Sequence, residues 1–135
     1  AILPVLGLNG MLAEFMPLAD MLNYKYILEL EGDNAMTSYR AYWHMFSRVV
    51  SFRHVPIGYD AAWFRHGLRP FEHFIPVHQD LSDLPKALAW ARANPDECER
   101  IIDRAWDFAV RYIDSETAAY YLYLAAAELS KLTVG

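Results

Sequence analysis

The feature that most constrains the fold is an alternation of short apolar runs with longer segments of helical periodicity. Three mostly apolar runs, each flanked by charged residues or by histidines, are Tyr26–Leu30, Val49–Phe52 and Phe74–Val77. Runs of this length are typical of strands buried inside a sheet. Strands that are joined through helices form parallel sheets. The sequence therefore predicts an α/β fold: a Rossmann-like half with a short, mainly parallel sheet and flanking helices.

The helical segments carry recognisable start signals. One is predicted from Met36 or Thr37 to about Phe46, and Ser82 is the predicted N-cap of the next. The residues Asn94-Pro95-Asp96-Glu97 supply a cap, a proline in the first turn and two acids near the positive end of the helix dipole. A last helix is predicted from Ser115 to about Lys131. The C-terminal third is thus expected to be helical.

Length and hydropathy indicate one domain. The chain has 135 residues, of which 55% are hydrophobic, so residues 1–135 can enclose a single core. The apolar run Ala118–Leu129 is shorter than the roughly 20 residues that span a bilayer, and we expect it to face the core rather than a membrane. Because the chain begins at Ala1 without an initiator methionine, we expect a fragment of a longer protein.

Charge and residue spacing narrow the function classes. A net charge of −5 argues against a nucleic-acid partner, which selects for a basic face, although a few arginines can still hold a diphosphate. The lone Cys98 cannot form an internal disulfide and is expected to be a packing residue. No histidine pair has the spacing of a metal site, so neither a metal nor a cofactor is predicted.

The segment from Gly32 to Arg40 is the most informative for ligand binding. It joins a predicted strand to a predicted helix, and a helix N-terminus offers free N–H groups and partial positive charge to a phosphate. Gly32 permits close backbone approach, Ser38 offers a hydroxyl, and Arg40 can clamp phosphate oxygens. Asn34 lies in the same loop. The competing interpretation is an ordinary capped helix with a surface arginine.

Other candidate residues are less specific. His73 precedes the third predicted strand, where it is either a ligand contact or a half-buried, hydrogen-bonded histidine. No spacing in the chain indicates a general base or a catalytic triad. The tryptophans Trp43, Trp90 and Trp106 lie in helical patterns and are expected to pack in the core rather than to stack on a ligand.

Several stretches, in order, resemble the family 90 glycosyltransferases. They are Tyr24-Lys25-Tyr26-Ile27-Leu28, Gly32 with Ser38-Tyr39-Arg40, Trp63-Phe64, Leu68-Arg69-Pro70-Phe71-Glu72-His73-Phe74-Ile75-Pro76-Val77 and Asp80-Leu81-Ser82-Asp83-Leu84. The resemblance is strongest over residues 20–115 and rests on order and spacing rather than on any one motif. That family includes xylosyltransferases, protein O-glucosyltransferases and bacterial lipopolysaccharide-core transferases.

The resemblance implies the donor-binding, C-terminal half of a GT-B enzyme. It implies that Gly32, Asn34, Ser38, Arg40 and His73 bind a nucleotide sugar, with Ser38 and Arg40 matching a Ser-x-Arg motif whose arginine contacts the diphosphate. It further implies a uridine diphosphate sugar as donor, a glycan or lipopolysaccharide acceptor, and metal-independent, inverting transfer. The catalytic base would lie in the missing N-terminal half. A cytoplasmic enzyme, free or peripheral to the inner membrane, is the corresponding localisation.

Two alternatives stay open beside this enzyme. One is a non-catalytic module that binds a nucleotide sugar, and the other is a structural Rossmann-like domain that has lost its site. The sequence also departs from the family where Arg48 stands in place of a small residue before the second strand. Arg48 would then either enter the donor pocket or replace a contact there.

Overall fold

Three parallel strands form the centre of the described structure. The computed structural model describes residues 16–30, 39–54, 64 and 67–133. The strands are β1 (Tyr26–Glu29), β2 (Val50–His54) and β3 (Ile75–Val77). They lie side by side in that order, and both pairings are parallel. The predicted α/β fold with a short parallel sheet is confirmed.

Five helices accompany the sheet in the described residues. They are α1 (Leu18–Met21), α2 (Tyr39–Phe46), α3 (Leu84–Ala93), α4 (Pro95–Tyr112) and α5 (Ser115–Thr133). The last three confirm the helical C-terminal third. The predicted helix start at residues 36–38 and its cap lie outside the described residues.

Strand β2 extends two residues further than its apolar run. The expected strand ended at Phe52, whereas Arg53 and His54 continue the ladder by pairing with Pro76 and Val77 of β3. Both polar side chains are buried. Tertiary pairing therefore overrides the polarity of these two residues, which by itself favoured a loop.

The predicted cap at Ser82 is wrong, and the N-cap of α3 is Asp83. Ser82 instead donates its hydroxyl and its main-chain N–H to the carboxylate of Asp80, at 2.7 and 3.0 Å. Local hydrogen bonding to Asp80 thus holds Ser82 in the turn before α3, one residue ahead of the N-cap position. Asn94 does hold the N-cap position of α4, but its side chain donates to the carbonyl of Trp90 at 2.8 Å.

One face of the sheet carries the main hydrophobic core. Because side chains alternate along a strand, Val50 and Phe52 of β2 share a face with Ile75 and Val77 of β3. Helices α3 and α4 cover this face with four buried side chains, which are Ala91, Cys98, Ile101 and Ile102. Burial raises the pKa of the Cys98 thiol, as expected for a packing residue.

The expectation that Ala118–Leu129 faces the core is wrong. Six large apolar side chains of α5 have exposed fractions between 42% and 69%: Tyr120, Tyr121, Leu122, Tyr123, Leu124 and Leu129. Apolar residues lie all around this helix, so their pattern selects no single inward face. In the part of the chain that the structure describes, no helix has the length and hydropathy of a membrane span.

We expect Ile101→Ala to lower the free energy of unfolding by about 2–5 kcal/mol. Its side chain is fully buried between α4 and the sheet, so truncation leaves a cavity in close-packed surroundings. Val110→Ala on the same helix removes a β-branched side chain from an exposed position and should change stability by less than about 0.5 kcal/mol. Urea denaturation of the two variants measures both values, and equal losses would contradict the assigned core.

Candidate functional site

Parallel pairing brings the carboxyl ends of all three strands to one edge of the sheet. There β1 is followed along the chain by the segment that leads to α2, and β3 is followed by residues 78–82 before α3. Ligands of open α/β sheets bind in the crevice outside this edge. The predicted nucleotide-sugar contacts are therefore expected at this edge of the sheet.

The predicted donor residues are only partly within the described structure. Gly32, Asn34 and Ser38 lie outside the described residues. Arg40 is described through its backbone alone, which places it in the first turn of α2. The assignment of these four residues to a donor site stays a prediction, and along the chain they follow β1 and lie before or within the first turn of α2.

A buried ion pair joins β1 and β2 near the carboxyl ends of the two strands. Glu29 and Arg53 are direct partners in the parallel register. Nη2 of Arg53 donates to both carboxylate oxygens of Glu29, at 2.7 and 2.9 Å. The exposed fractions of the two side chains are only 3% and 7%. Charges so deeply buried are stable only when they are paired, and each of these side chains supplies the counter-charge of the other.

Three further side chains complete the surroundings of this pair. The imidazole Nδ1 of His44, from α2, lies 3.6 Å from Oε2 of Glu29, and the hydroxyl of Ser51 lies 3.5 Å from the same oxygen. The guanidinium of Arg53 lies 5.3 Å from the ring centre of Phe74. Within the described part of the chain, neither ring nitrogen of His44 has a hydrogen-bond partner. The cluster thus links β1 and β2 to α2.

The Glu29 carboxylate is held in its charged form. Burial by itself raises the pKa of a carboxyl group, but the neighbouring His44 imidazole and the charge and hydrogen bonds of Arg53 outweigh burial and lower the pKa of Glu29 to about 2. The folded protein therefore binds this proton less readily than the unfolded chain. Stability from the ion pair is present above about pH 4.5 and is lost as pH falls towards 2.

His73 lies in the turn before β3, and its hydrogen bond and ring contact are with Arg69 and Phe108 rather than with the Glu29 cluster. Its Nδ1 accepts the main-chain N–H of Arg69 at 3.0 Å, and its ring packs edge-on against Phe108 at 5.1 Å. Burial lowers the pKa of His73, which favours the neutral imidazole. The geometry matches the half-buried, hydrogen-bonded alternative, and a donor contact by His73 stays a prediction.

Arg48 takes neither of the two roles expected for it. It precedes β2, at the amino end of the sheet, and its Nη2 donates to Oδ1 of Asp103 on α4 at 2.6 Å. Both side chains are more than half exposed. Because the strand exits lie at the opposite edge, this surface ion pair neither enters a donor pocket there nor replaces a contact in it.

A broad open cavity of about 1010 Å³ lies beside β3. Its walls come from the turn before β3, from β3, from the exit loop and from α3, and they include Phe71, Val77, His78, Asp80, Lys86 and Trp90. The exit loop is held by its own hydrogen bonds, since the main-chain N–H of His78 donates to Asp83 at 2.7 Å. Trp90 packs partly against the core, as expected, but it also forms part of this wall.

Sequence inspection missed the Glu29–Arg53–His44 cluster. The available signal was a charged residue inside an otherwise apolar run, since Glu29 lies between Leu28 and Leu30. A charge in a buried strand requires a partner. The partner itself depends on register, which the sequence does not give. Across the described ranges, no three side chains of His, Cys, Asp or Glu are grouped so that they could hold a metal ion.

We expect Glu29→Gln to lower the free energy of unfolding at pH 7 by roughly 3–5 kcal/mol, because Arg53 is left buried without a counter-charge. The variant should also lack the acid-labile term of the wild type. That term amounts to on the order of 3 kcal/mol between pH 5 and pH 2, from the difference between the folded and unfolded pKa values. Denaturant unfolding at several pH values measures both effects.

Asp103→Asn is the matched control for this prediction. It removes a carboxylate that also pairs with an arginine at 2.6 Å, but at the surface. Solvent screens such a pair, so the change should stay below about 1 kcal/mol. Equal losses of stability in the two variants would contradict a special role for burial at Glu29.

Comparison with known proteins identifies the family. A family model described as glycosyl transferase family 90 matches residues 8–134. Protein O-glucosyltransferase 2 of Danio rerio is 28% identical over 128 residues, which cover 95% of this chain and 25% of that protein. O-glucosyltransferase LpsA of Dichelobacter nodosus is 30% identical over 105 residues, which cover 77% of this chain and 32% of that protein.

A third relative is the uncharacterized protein 179R of Invertebrate iridescent virus 6. It is 38% identical over 60 residues, which cover 44% of this chain and 5% of that protein. The chain thus spans no more than about a third of the length of these three relatives. Because the family match covers nearly the whole chain, the chain belongs to glycosyl transferase family 90.

Proposed function

We propose that this chain is the donor-binding part of a GT-B glycosyltransferase that transfers a sugar from a nucleotide sugar to a glycan. The observation that carries the proposal is that β1 and α2, which flank the predicted donor residues, are linked by the buried Glu29–Arg53–His44 cluster. Membership of family 90 supports the glycosyl transfer itself. The names of two relatives, both O-glucosyltransferases, favour glucose as the transferred sugar.

In the proposed site, the donor diphosphate lies at the N-terminal end of α2. Gly32 and Asn34 line the approach, Ser38 donates a hydroxyl hydrogen bond, and Arg40 pairs with the phosphate oxygens. His73, before β3, is a further proposed donor contact. The free N–H groups of the first turn add partial positive charge. A uridine diphosphate sugar is the proposed donor.

The proposed chemistry is an inverting displacement without a metal. An acceptor hydroxyl oxygen attacks the anomeric carbon, the bond from that carbon to the diphosphate breaks, and the proton of the hydroxyl passes to a base. Arg40 and the helix dipole stabilise the negative charge on the departing diphosphate. The base is assigned to the N-terminal half of a longer protein, since a general base is needed and none is indicated by spacing here.

The proposed acceptor is a glycan. A lipopolysaccharide core is one glycan that fits the bacterial branch of the family, and it would place the enzyme in the cytoplasm or at the inner-membrane surface. The competing function is a module that binds the nucleotide sugar without turnover. It predicts unchanged donor affinity and no transfer even in a longer protein that contains the N-terminal half.

We expect Arg40→Ala to weaken binding of uridine diphosphate by on the order of 10- to 100-fold, because a charged hydrogen bond contributes about 1.5–3 kcal/mol. Arg40→Lys should restore only part of this affinity, since an ammonium group lacks the bidentate fork. Isothermal titration calorimetry in the presence of a chelator measures both variants and tests independence of metal at the same time.

Arg48→Ala is the control for the loss of one positive charge. Arg48 pairs with Asp103 at the amino end of the sheet, far from the proposed diphosphate position, so its removal should leave the affinity within about twofold. Equal affinities of the wild type and Arg40→Ala, with both proteins folded, would overturn the proposed donor site.

A further inference from the structure

An aromatic corner lies at the edge of the cavity beside β3. The rings of Phe71 and Trp90 meet edge to face, with centroids 5.3 Å apart and an interplanar angle of 71°. Phe71 is 50% exposed, although it is large and apolar. Both rings belong to the cavity wall. Together with Val77, they give the cavity an apolar side against which a flat ring can pack.

The turn that carries Phe71 keeps this ring in place. Phe71 has a φ of 59°, in the left-handed region that bulky residues rarely adopt. Its N–H donates to the carbonyl of Phe74 at 2.7 Å. Arg104 of α4 donates to the carbonyls of Glu72 and Phe71, at 3.0 and 3.4 Å. The turn is thus braced from two sides, and the aromatic side chain stays half exposed instead of packing inwards.

The rest of the wall is largely polar. It carries the carboxylates of Asp80 and Asp83 and the ammonium group of Lys86. Asp80 accepts both hydrogen bonds of Ser82, which lower the pKa of its carboxyl group, so it is ionised at neutral pH. Each carboxylate has more acceptor positions than these loop bonds use. Hydrogen-bond acceptors and a donor therefore line the same cavity as the aromatic corner.

This charge pattern discriminates between classes of ligand. Two carboxylates and one ammonium give the wall a net negative charge, which repels a nucleoside diphosphate. A purely apolar ligand would leave the carboxylates and Lys86 without compensation for lost water. A neutral sugar ring is compatible with both the aromatic and the charged groups of the wall. Its C–H faces pack on aromatic rings, while its hydroxyls donate to carboxylates and accept from an ammonium.

We propose that the cavity between β3 and α3 is a carbohydrate-binding cleft, in which Phe71 and Trp90 contact the sugar ring and Asp80, Asp83 and Lys86 bind its hydroxyls. The choice of a sugar, rather than another neutral polar ring, rests on the proposed glycosyl transfer. The cleft is separate from the proposed diphosphate position at α2, since it lies beside β3, at the other side of the three-stranded sheet from β1. It would hold part of a glycan rather than the nucleotide.

Nuclear magnetic resonance of the ¹⁵N-labelled chain tests the cleft. The chain has four tryptophans, and Trp90→Phe identifies the indole N–H signal of Trp90. Neutral trisaccharides of glucose, galactose, mannose and xylose are the probes, with uridine diphosphate and 1-octanol as competing classes. We expect at least one trisaccharide to shift the Trp90 signal, with a dissociation constant on the order of millimolar.

Matched variants separate recognition from a surface effect. Phe71→Ala should weaken trisaccharide binding at least 10-fold, Phe71→Tyr should retain it, and Lys86→Met should weaken it without touching the aromatic corner. Tyr123→Ala, which removes an exposed ring from α5, should leave it unchanged. The cleft is overturned if no trisaccharide shifts Trp90, if Phe71→Ala and Lys86→Met bind as the wild type does, or if only uridine diphosphate or octanol produces the shift.

The two sites can fail independently. A chain that binds a trisaccharide at Trp90 but has no affinity for uridine diphosphate retains the cleft and contradicts the donor site at α2. A chain that binds uridine diphosphate through Arg40 but no trisaccharide contradicts the cleft alone.

Discussion

The parallel register of the three strands is the constraint on which the rest of the described structure depends. Pairing Tyr26 with Val50 and Phe52 with Ile75 sends every strand exit to one edge and every strand entry to the other. The backbone hydrogen bonds of the sheet thereby separate the segments that follow the strands from those that precede them. Arg48 illustrates this separation. It lies at the amino end of β2 and forms a surface ion pair with Asp103.

The same register gives the sheet two unlike faces. On one face, β2 and β3 present valine, isoleucine and phenylalanine to α3 and α4, and burial of apolar area stabilises the fold in the ordinary way. On the other, Glu29 and Arg53 meet in a site where desolvation opposes each charge separately. An apolar pair of similar volume could serve stability as well. The ionic pair adds a fixed geometry between two neighbouring strand ends and, through His44, the helix beyond them.

Two kinds of surface then divide the proposed work. In the proposed donor site, Arg40 and the first turn of α2 supply positive charge for a diphosphate, whereas the proposed cleft beside β3 has aromatic rings and a slight excess of negative charge. This difference in charge between the two proposed sites would keep each ligand from the other's place. The aromatic corner depends on a braced turn, so its shape is set before any ligand arrives.

The sequence by itself determined the fold class, the order of the elements and the family resemblance. Strand-length apolar runs and helix start signals are local properties, and they located β1, β3 and α4 within a few residues. The sequence did not determine that β2 continues through Arg53, that Asp83 caps α3, or that α5 keeps its tyrosines exposed. Local hydrogen bonds between Asp80 and Ser82 decided the cap. Tertiary structure decided the other two points, because strand register and the presence of a covering surface depend on residues distant in the chain.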